Sequence, residues 1–133
     1  MAGLVAVDTD LLIDFLRGRG EGVAAVRTLL VERRLRLTAV SAFELRVGTD
    51  FLERGPEILR LFRSRTLSLD LQAGLRAGEV ASNLTRTGRP IGMADCLQAG
   101  ICMRHDLPFL TRNRKHFDRV EGLRLVDLEP DLG

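Results

Sequence analysis

The chain has 133 residues, enough for one domain of common size and too few for two. With 45% hydrophobic and 29% charged residues it is not a disordered segment, and no apolar run approaches the roughly 18 residues of a membrane helix. Twenty basic residues against 18 acidic leave a net charge of +2, so no global field marks a nucleic-acid binder and any such role must come from local arrangement. Of the basic residues only Lys115 is a lysine, a bias that coding composition explains better than phosphate recognition. The early apolar stretch Leu4 to Val7 has no basic flank and ends at Asp8, so no secretory signal is visible. Cys96 and Cys102 sit six apart in one helical pattern and point to different faces; free thiols fit a reducing cytosol.

Short apolar or alternating runs predict strands at Leu4 to Val7, Leu35 to Val40, Thr66 to Leu69, Phe109 to Thr111 and Leu123 to Leu128. Between them helical patterns run over about 10 to 17, 21 to 33, 41 to 54, 56 to 63, 71 to 87 and 93 to 104, with a short turn near 113 to 117. Glycine and proline fall at element ends, and no repeat or linker divides the chain, so one domain over 1–133 is expected. Strands alternating with helices predict a parallel sheet covered on both faces. In such sheets function collects beyond the carboxyl ends of the strands.

The acidic residues sort by whether an ordinary role explains them. Asp10, Asp14 and Arg17 fall at i, i+4 and i+7, opposite Leu11, Leu12, Phe15 and Leu16, so Asp14 reads as solvated. Asp70 follows an alternating strand and opens a helix, which reads as an N-cap. Asp8 ends the first strand; it could cap the next helix, but Asp10 can do that and leave Asp8 free. Glu44 fits a capping box with Ser41 as N-cap, yet it lies about 200° from Arg46 on a helix and so points away from the polar side; both readings stay open. Asp95 is the one carboxylate in Ile91 to Met103, a segment apolar nearly all round. It has no cation three or four residues away, and burying it unpaired would cost several kcal/mol. It therefore needs a metal, a distant cation or a proton, although its first-turn position softens the problem. Thr111-Arg112-Asn113 ends the fourth strand and starts a basic run, Arg112, Arg114, Lys115 and His116, that is a solvated loop or, beside an acidic site, a hold on a phosphate backbone.

Three carboxylates from distant segments could meet at one rim of the sheet. At ~5 Å and an effective dielectric of ~20 each pair would repel by roughly 3 kcal/mol, and a hard divalent cation would offset that. Oxygen donors without suitable Cys or His point to Mg²⁺ or Mn²⁺ rather than zinc, a site suited to hydrolysis of phosphoryl esters.

In four stretches the sequence resembles the PIN-domain ribonucleases, and among them the VapC-like toxins of bacterial toxin–antitoxin pairs. These are Val7-Asp8-Thr-Asp10-Leu-Leu-Ile-Asp14, Ser41-Ala-Phe-Glu44-Leu, Gly88-Arg-Pro-Ile-Gly-Met-Ala-Asp95 and Leu110-Thr-Arg-Asn113-Arg-Lys-His-Phe117. The resemblance implies a three-layer α/β/α sandwich on a parallel five-stranded sheet, and a Mg²⁺- or Mn²⁺-dependent endoribonuclease. Asp8 and Asp95 would then hold the metal, with Glu44 completing the acidic cluster directly or through water. Asn113 stands where the family often has a fourth acidic residue, which puts a second metal in question; Thr111 and Asn113 would position water or the scissile phosphate. Arg112, Arg114 and Lys115 would hold the strand, with Arg86 and Arg89 behind them. The resemblance also implies a homodimer, silenced by a small antitoxin protein. With no Trp or Tyr and six Phe, few rings remain for stacking bases, so a structured RNA such as a tRNA or ribosomal loop is expected, read through shape and backbone.

Three other readings compete. A phosphate-accepting receiver domain would use Asp8, Asp10, Asp70 and Thr111, but needs a lysine after its last strand, and Lys115 comes before it. A small phosphatase would use the Asp8-Thr-Asp10 pair as nucleophile and acid, but lacks the later acidic pair. A catalytically degenerate RNA-binding module is the third, prompted by Asn113.

Overall fold

The structure is a computed structural model that describes residues 3–128. Five strands form one parallel sheet in the order β3-β2-β1-β4-β5: β1 (Val5–Val7), β2 (Leu35–Thr38), β3 (Thr66–Leu67), β4 (Phe109–Leu110) and β5 (Leu125–Val126). Seven helices connect and cover them: α1 (Thr9–Arg17), α2 (Gly22–Val31), α3 (Ala39–Val47), α4 (Asp50–Phe62), α5 (Leu71–Arg86), α6 (Met93–Arg104) and α7 (Arg114–Phe117).

The alternation of side chains along each strand divides the core into two layers. Val5, Val7, Leu37, Leu110 and Val126 face the apolar sides of α1, α2 and α4. Ala6, Phe109 and Leu125 face α5, α6 and α7. Helices on both faces explain why the strands read as short apolar runs rather than as alternating ones. Two contacts on the second face fix the parts of the molecule that matter below. Phe117 meets Phe109 edge-on, with ring centroids 4.9 Å apart, and so seats α7 on β4. Gly100 lets α6 cross α5 closely, because a Cβ there would lie 2.6 Å from the Ala73 carbonyl oxygen and 2.7 Å from the Ala77 Cβ.

The expected elements are all present, with shorter strands and one rearranged stretch. β2 stops at Thr38 rather than Val40, because the Thr38 side chain turns back to accept a hydrogen bond from the Ser41 N–H and caps α3. Of the two readings left open for Glu44, the capping box is therefore excluded: Thr38 is the N-cap, Ser41 is fully buried inside the helix, and Glu44 is free of that role. The helices expected over 41 to 54 and 56 to 63 break elsewhere. α3 ends at Val47 and α4 runs from Asp50 through Pro56, with a kink at Arg54 (φ −124°) just before the proline, which cannot donate to the preceding turn.

Strand order reverses between β1 and β4: from β1 the chain builds outward to β2 and β3, then returns to add β4 and β5 on the other side. A crevice at the carboxyl ends of these two central strands is the expected result. Asp8 follows β1, and Thr111 follows β4.

Candidate active site

Asp8 stands at the carboxyl end of β1, where that crevice is expected. Its Oδ1 accepts from the Thr9 N–H at 2.8 Å and its Oδ2 from the Thr111 hydroxyl at 2.7 Å. The first bond makes Asp8 the N-cap of α1, so the expectation that Asp10 would take that role is corrected. Burial pushes the Asp8 carboxyl up to about 6, against the opposing pull of these hydrogen bonds, with Asp10 and Asp95 adding like charge. No Arg, Lys or His lies within ion-pair distance of it among the described residues. The fold thus keeps an acid at a strand end and supplies no positive charge to compensate it.

A chain of polar groups, most of them buried, runs inward from the residue after Asp8. The Thr9 hydroxyl donates to Glu44 Oε1 at 2.6 Å and lies 2.7 Å from the Ser41 hydroxyl. Gln98 on α6 reaches the same hydroxyl through its Nε2, and its Oε1 accepts from Thr38. Glu44 is therefore brought to the site, one residue removed from Asp8 and oriented by Thr9. Four elements (β2, α1, α3 and α6) are tied together by groups each of which has a partner, as buried polar atoms require. Sequence reasoning did not single out Thr9, Thr38 or Gln98. Gln98 carried the one available signal, an amide inside an apolar helix, and it is 1% exposed.

The other wall of the crevice is looser. Asp95 lies in the first turn of α6, and its side chain is 27% exposed. Its partner is a distant one, His116 on α7, with Nδ1 3.3 Å from Asp95 Oδ2. The Asn113 amide nitrogen is 2.9 Å from the same ring nitrogen, and the Asn113 backbone N–H donates to the Thr111 hydroxyl at 3.0 Å. Thr111 thus meets Asp8 directly through its hydroxyl, and Asn113 meets His116, the partner of Asp95, through its amide.

The basic run divides. Arg112 turns away from the carboxylates of the crevice: its guanidinium donates to both oxygens of Asp14 (2.8 and 3.2 Å), to Glu21 and to the Asp10 carbonyl. Asp14 also accepts from the Gly22 N–H, and these bonds hold its carboxyl below the usual range, Arg112 first. The expectation of a solvated Asp14 is corrected, since a cation 98 positions away covers it. Arg112 is accordingly committed to the fold. Arg114 pairs with Asp127 at 2.8 Å and donates to the Val126 carbonyl, while Lys115 is exposed with no ion pair among the described residues. Asp70 caps α5 through the Ala73 N–H, as expected, and pairs with Arg104. That leaves the receiver reading without its phosphate acceptor, because the acid it needs is occupied away from Asp8.

Hard oxygen donors from Asp8 and Asp95, next to a hydroxyl and an amide, fit a divalent cation of the Mg²⁺ or Mn²⁺ kind. Among the described residues no three His, Cys, Asp or Glu side chains gather into a complete metal cage. Mg²⁺ does not require one, since it retains several waters and takes one or two carboxylates. The uncompensated charge of Asp8 is the feature of the protein that fits such an ion. Both cysteines are buried free thiols, and burial pushes Cys102 far above its usual range; neither serves the site.

Known proteins resemble this chain in sequence and in fold. The sequence profile of the PIN domain matches residues 5–123. A relative from Shigella flexneri, named as a tRNA(fMet)-specific endonuclease VapC, is 30% identical over 126 residues, which span 91% of this chain and 95% of the relative. One of the same name from Salmonella typhimurium is 29% identical over the same shares. Among solved structures, a chain of the DNA-bound VapBC complex from Salmonella typhimurium superposes with a TM-score of 0.77 at 26% identity, covering 96% of this chain and 99% of that one. No helix among the described residues is long and apolar enough to cross a membrane.

Proposed function

The chain belongs to the PIN-domain family, and on that premise we propose that its acidic crevice hydrolyses RNA phosphodiester bonds as the toxin of a toxin–antitoxin pair. The observation that carries the reading is Asp8: a buried strand-end carboxylate with no cation paired to it among the described residues, beside Asp95 from a different layer of the fold. The named relatives are endonucleases called VapC, and the superposed chain comes from a DNA-bound VapBC complex, VapBC being named in another solved structure as a family of toxin–antitoxin systems. A small antitoxin protein is accordingly the protein partner, and RNA is the substrate, with a tRNA or ribosomal loop as the class to test first.

Mg²⁺ or Mn²⁺ is the cofactor we assign, held by Asp8 and Asp95 with Glu44 behind. When bound, such an ion eases deprotonation of the attacking water and offsets charge on the phosphoryl oxygens. The chain's own groups do the rest. The Thr9 N–H and the Thr111 hydroxyl fix the two oxygens of Asp8, so its lone pairs face one direction. The Thr9 hydroxyl orients Glu44 in the same way. His116 and Asn113 hold the edge at Asp95, where the amide of Asn113 can donate to a phosphate oxygen or a water. Lys115 is the basic residue free to meet the RNA backbone; Arg114 is free only where RNA displaces Asp127, and Arg112 serves by fixing the Thr111–Asn113 turn. We also propose a homodimer acting in the cytoplasm, which light scattering of the purified chain tests.

The decisive experiment is cleavage of total RNA by purified, antitoxin-free protein with Mg²⁺, with Mn²⁺ and with EDTA, alongside the Asp8→Asn protein. Discrete fragments that require both the ion and Asp8 are the expected result. A folded parent protein that leaves several RNA sources intact would transfer the assignment to a degenerate RNA-binding module.

A further inference from the structure

The amino-terminal edge of the sheet carries the opposite charge from the crevice. Two tight turns lie side by side there: one feeds β2, with Arg33 at φ 58°, and one feeds the neighbouring strand β3, with Ser64 at φ 68°. Around them Arg33, Arg36, Arg60, Arg63, Ser64 and Arg65 line an open concavity of about 550 Å³ that contains no carboxylate. Arg65 has a structural role, since it donates to the Leu61 and Arg60 carbonyls at the end of α4. Arg36 donates only to the Leu35 carbonyl, and Arg33, Arg60 and Arg63 make no ion pair among the described residues. Elsewhere Arg17, Arg34, Arg54, Arg104, Arg112, Arg114 and Arg124 each have a carboxylate within 4 Å. Arg19, Arg27, Arg46, Arg76, Arg86, Arg89 and Arg119 also make no ion pair among the described residues; what distinguishes this edge is that five arginines line one concavity with no carboxylate among them, whereas those around Arg19 and around Arg86 include one.

We propose that this edge holds the sugar–phosphate backbone of the folded RNA that is cut at the crevice, a reading that rests on the nuclease function above. Guanidinium forks match phosphate oxygens in pairs, and gathered cations without counterions favour a polyanion. No aromatic ring lines the concavity, so the ligand is held through its backbone and not by stacking. The edge lies at the amino ends of β2 and β3, and the four residues of β2 alone separate it from the crevice by ~13 Å. That is too far for the phosphate being cut, and within reach of another arm of the same folded RNA. Recognition then has two parts: acids and a cation at the scissile bond, arginines at a distance for the shape of the whole molecule.

The test is a fourfold variant, Arg33→Ala, Arg36→Ala, Arg60→Ala and Arg63→Ala, and its counterpart with lysine at the same positions, both made in the parent and in the non-cutting Asp8→Asn full chain. The probes are bulk bacterial tRNA and a short single-stranded oligonucleotide. With tRNA, the alanine variant is expected to lose at least tenfold in affinity, and the slope of log K against log salt is expected to fall by about 3. The lysine variant, which keeps the charge, retains most of the affinity. The loss on tRNA should exceed that on the oligonucleotide by tenfold. Unchanged affinity and salt slope on tRNA would overturn the proposal, as would an alanine variant that loses binding to polyglutamate while keeping tRNA. Should the parent bind tRNA through these arginines yet cut no RNA, the nuclease function fails and the backbone site stands.

Discussion

Helix α1 carries two aspartates of opposite fate. Asp14, near its carboxyl end, is gripped by Arg112 and the Gly22 N–H, and its carboxyl is held below the usual range. Asp8, at its amino end, has hydrogen bonds but no cation, and burial drives its carboxyl up to about 6. Both acids belong to one short element, but Asp8 is much the more deeply buried and lacks the compensating cation that Asp14 has. Where the chain supplies that charge the acid is a fastening of the fold. Where it does not, the acid is a place for a positive charge brought from outside, and the two central strands aim it into a crevice.

Replacing each acid by its amide is the most severe way to break the comparison. Asp8→Asn and Asp95→Asn are each expected to lower RNA cleavage by about 10³-fold or more, since they remove charge at the scissile bond, where electrostatic stabilisation is the largest contribution. The metal-free Asp8→Asn protein should be at least as stable as the parent, because a buried charge is gone. A single-turnover cleavage assay and a urea melt on each protein decide the matter. Wild-type cleavage by folded Asp8→Asn would remove the crevice from consideration.

pH separates the two aspartates next. The usual carboxylate value is 3.8 and the folded value of Asp8 is about 6, so between about pH 4 and pH 6 the folded state binds a proton that the unfolded state has released. Stability therefore falls as pH rises through that window, by about 3 kcal/mol from this group when no divalent cation is present. The lowered carboxyls of Asp14, Asp50 and Asp70 act in the other direction and at lower pH, adding stability above the usual carboxylate value and losing it as pH falls. Urea unfolding in EDTA at pH 5 and pH 7 should show the loss in the parent and not in Asp8→Asn. Millimolar Mg²⁺ at pH 7 should restore stability to the parent alone. An identical pH profile for the two proteins would mean that Asp8 is not the strained group.

The sequence makes one of these two acids legible and hides the other. Asp8 is visible because a strand reads as four apolar letters and then stops on a carboxylate; Asp95 is visible because an apolar helix has one charge. Asp14 is misread because helical periodicity reports which face a residue is on, and nothing in the local pattern can report that Arg112, 98 positions later, will lie over that face. Glu44 is half legible for a related reason. Ser41 and Glu44 have the spacing of a capping box, but Thr38 took the cap, and only the pairing of β2 with β1 sets where that helix could begin. The five strands and six of the seven helices among the described residues follow from period and punctuation, while α7 reads only as a short turn. The polar chain through Thr9, Ser41 and Gln98 does not, because each link joins different elements.

The Asp14 end can also be loosened without touching a charge. A Cβ on Gly22 would lie 2.5 Å from the Leu11 carbonyl oxygen, so Gly22→Ala must push α2 away from α1 and with it the N–H that Asp14 accepts. We expect a loss of about 1–3 kcal/mol. Asp14→Asn, which keeps the hydrogen-bond acceptor and gives up the partly exposed ion pair, should lose less, about 1–2 kcal/mol. Thermal or urea melts of both proteins measure this, and cleavage per folded molecule should fall only in so far as the Arg112 anchor slackens. Loss of cleavage equal to that of Asp8→Asn would erase the distinction between the two acids.

The finest cut lies at Thr111, whose hydroxyl donates to Asp8 and accepts from the Asn113 N–H. Thr111→Val has nearly the same shape and neither bond. Asp8 then loses the hydrogen bond that most opposes its burial, so its carboxyl should rise further and its affinity for Mn²⁺ at pH 7 should fall, by about fivefold to tenfold for one hydrogen bond to a charged group. Thr111→Ser restores the hydroxyl and should restore the affinity. Mn²⁺ titration by electron paramagnetic resonance reads this without any RNA present. Because protonation competes with the ion, raising the pH from 6 to 8 should recover much of the loss in Thr111→Val. If pH recovers nothing, Thr111 acts by placing the Asn113 turn and not by holding the charge on Asp8.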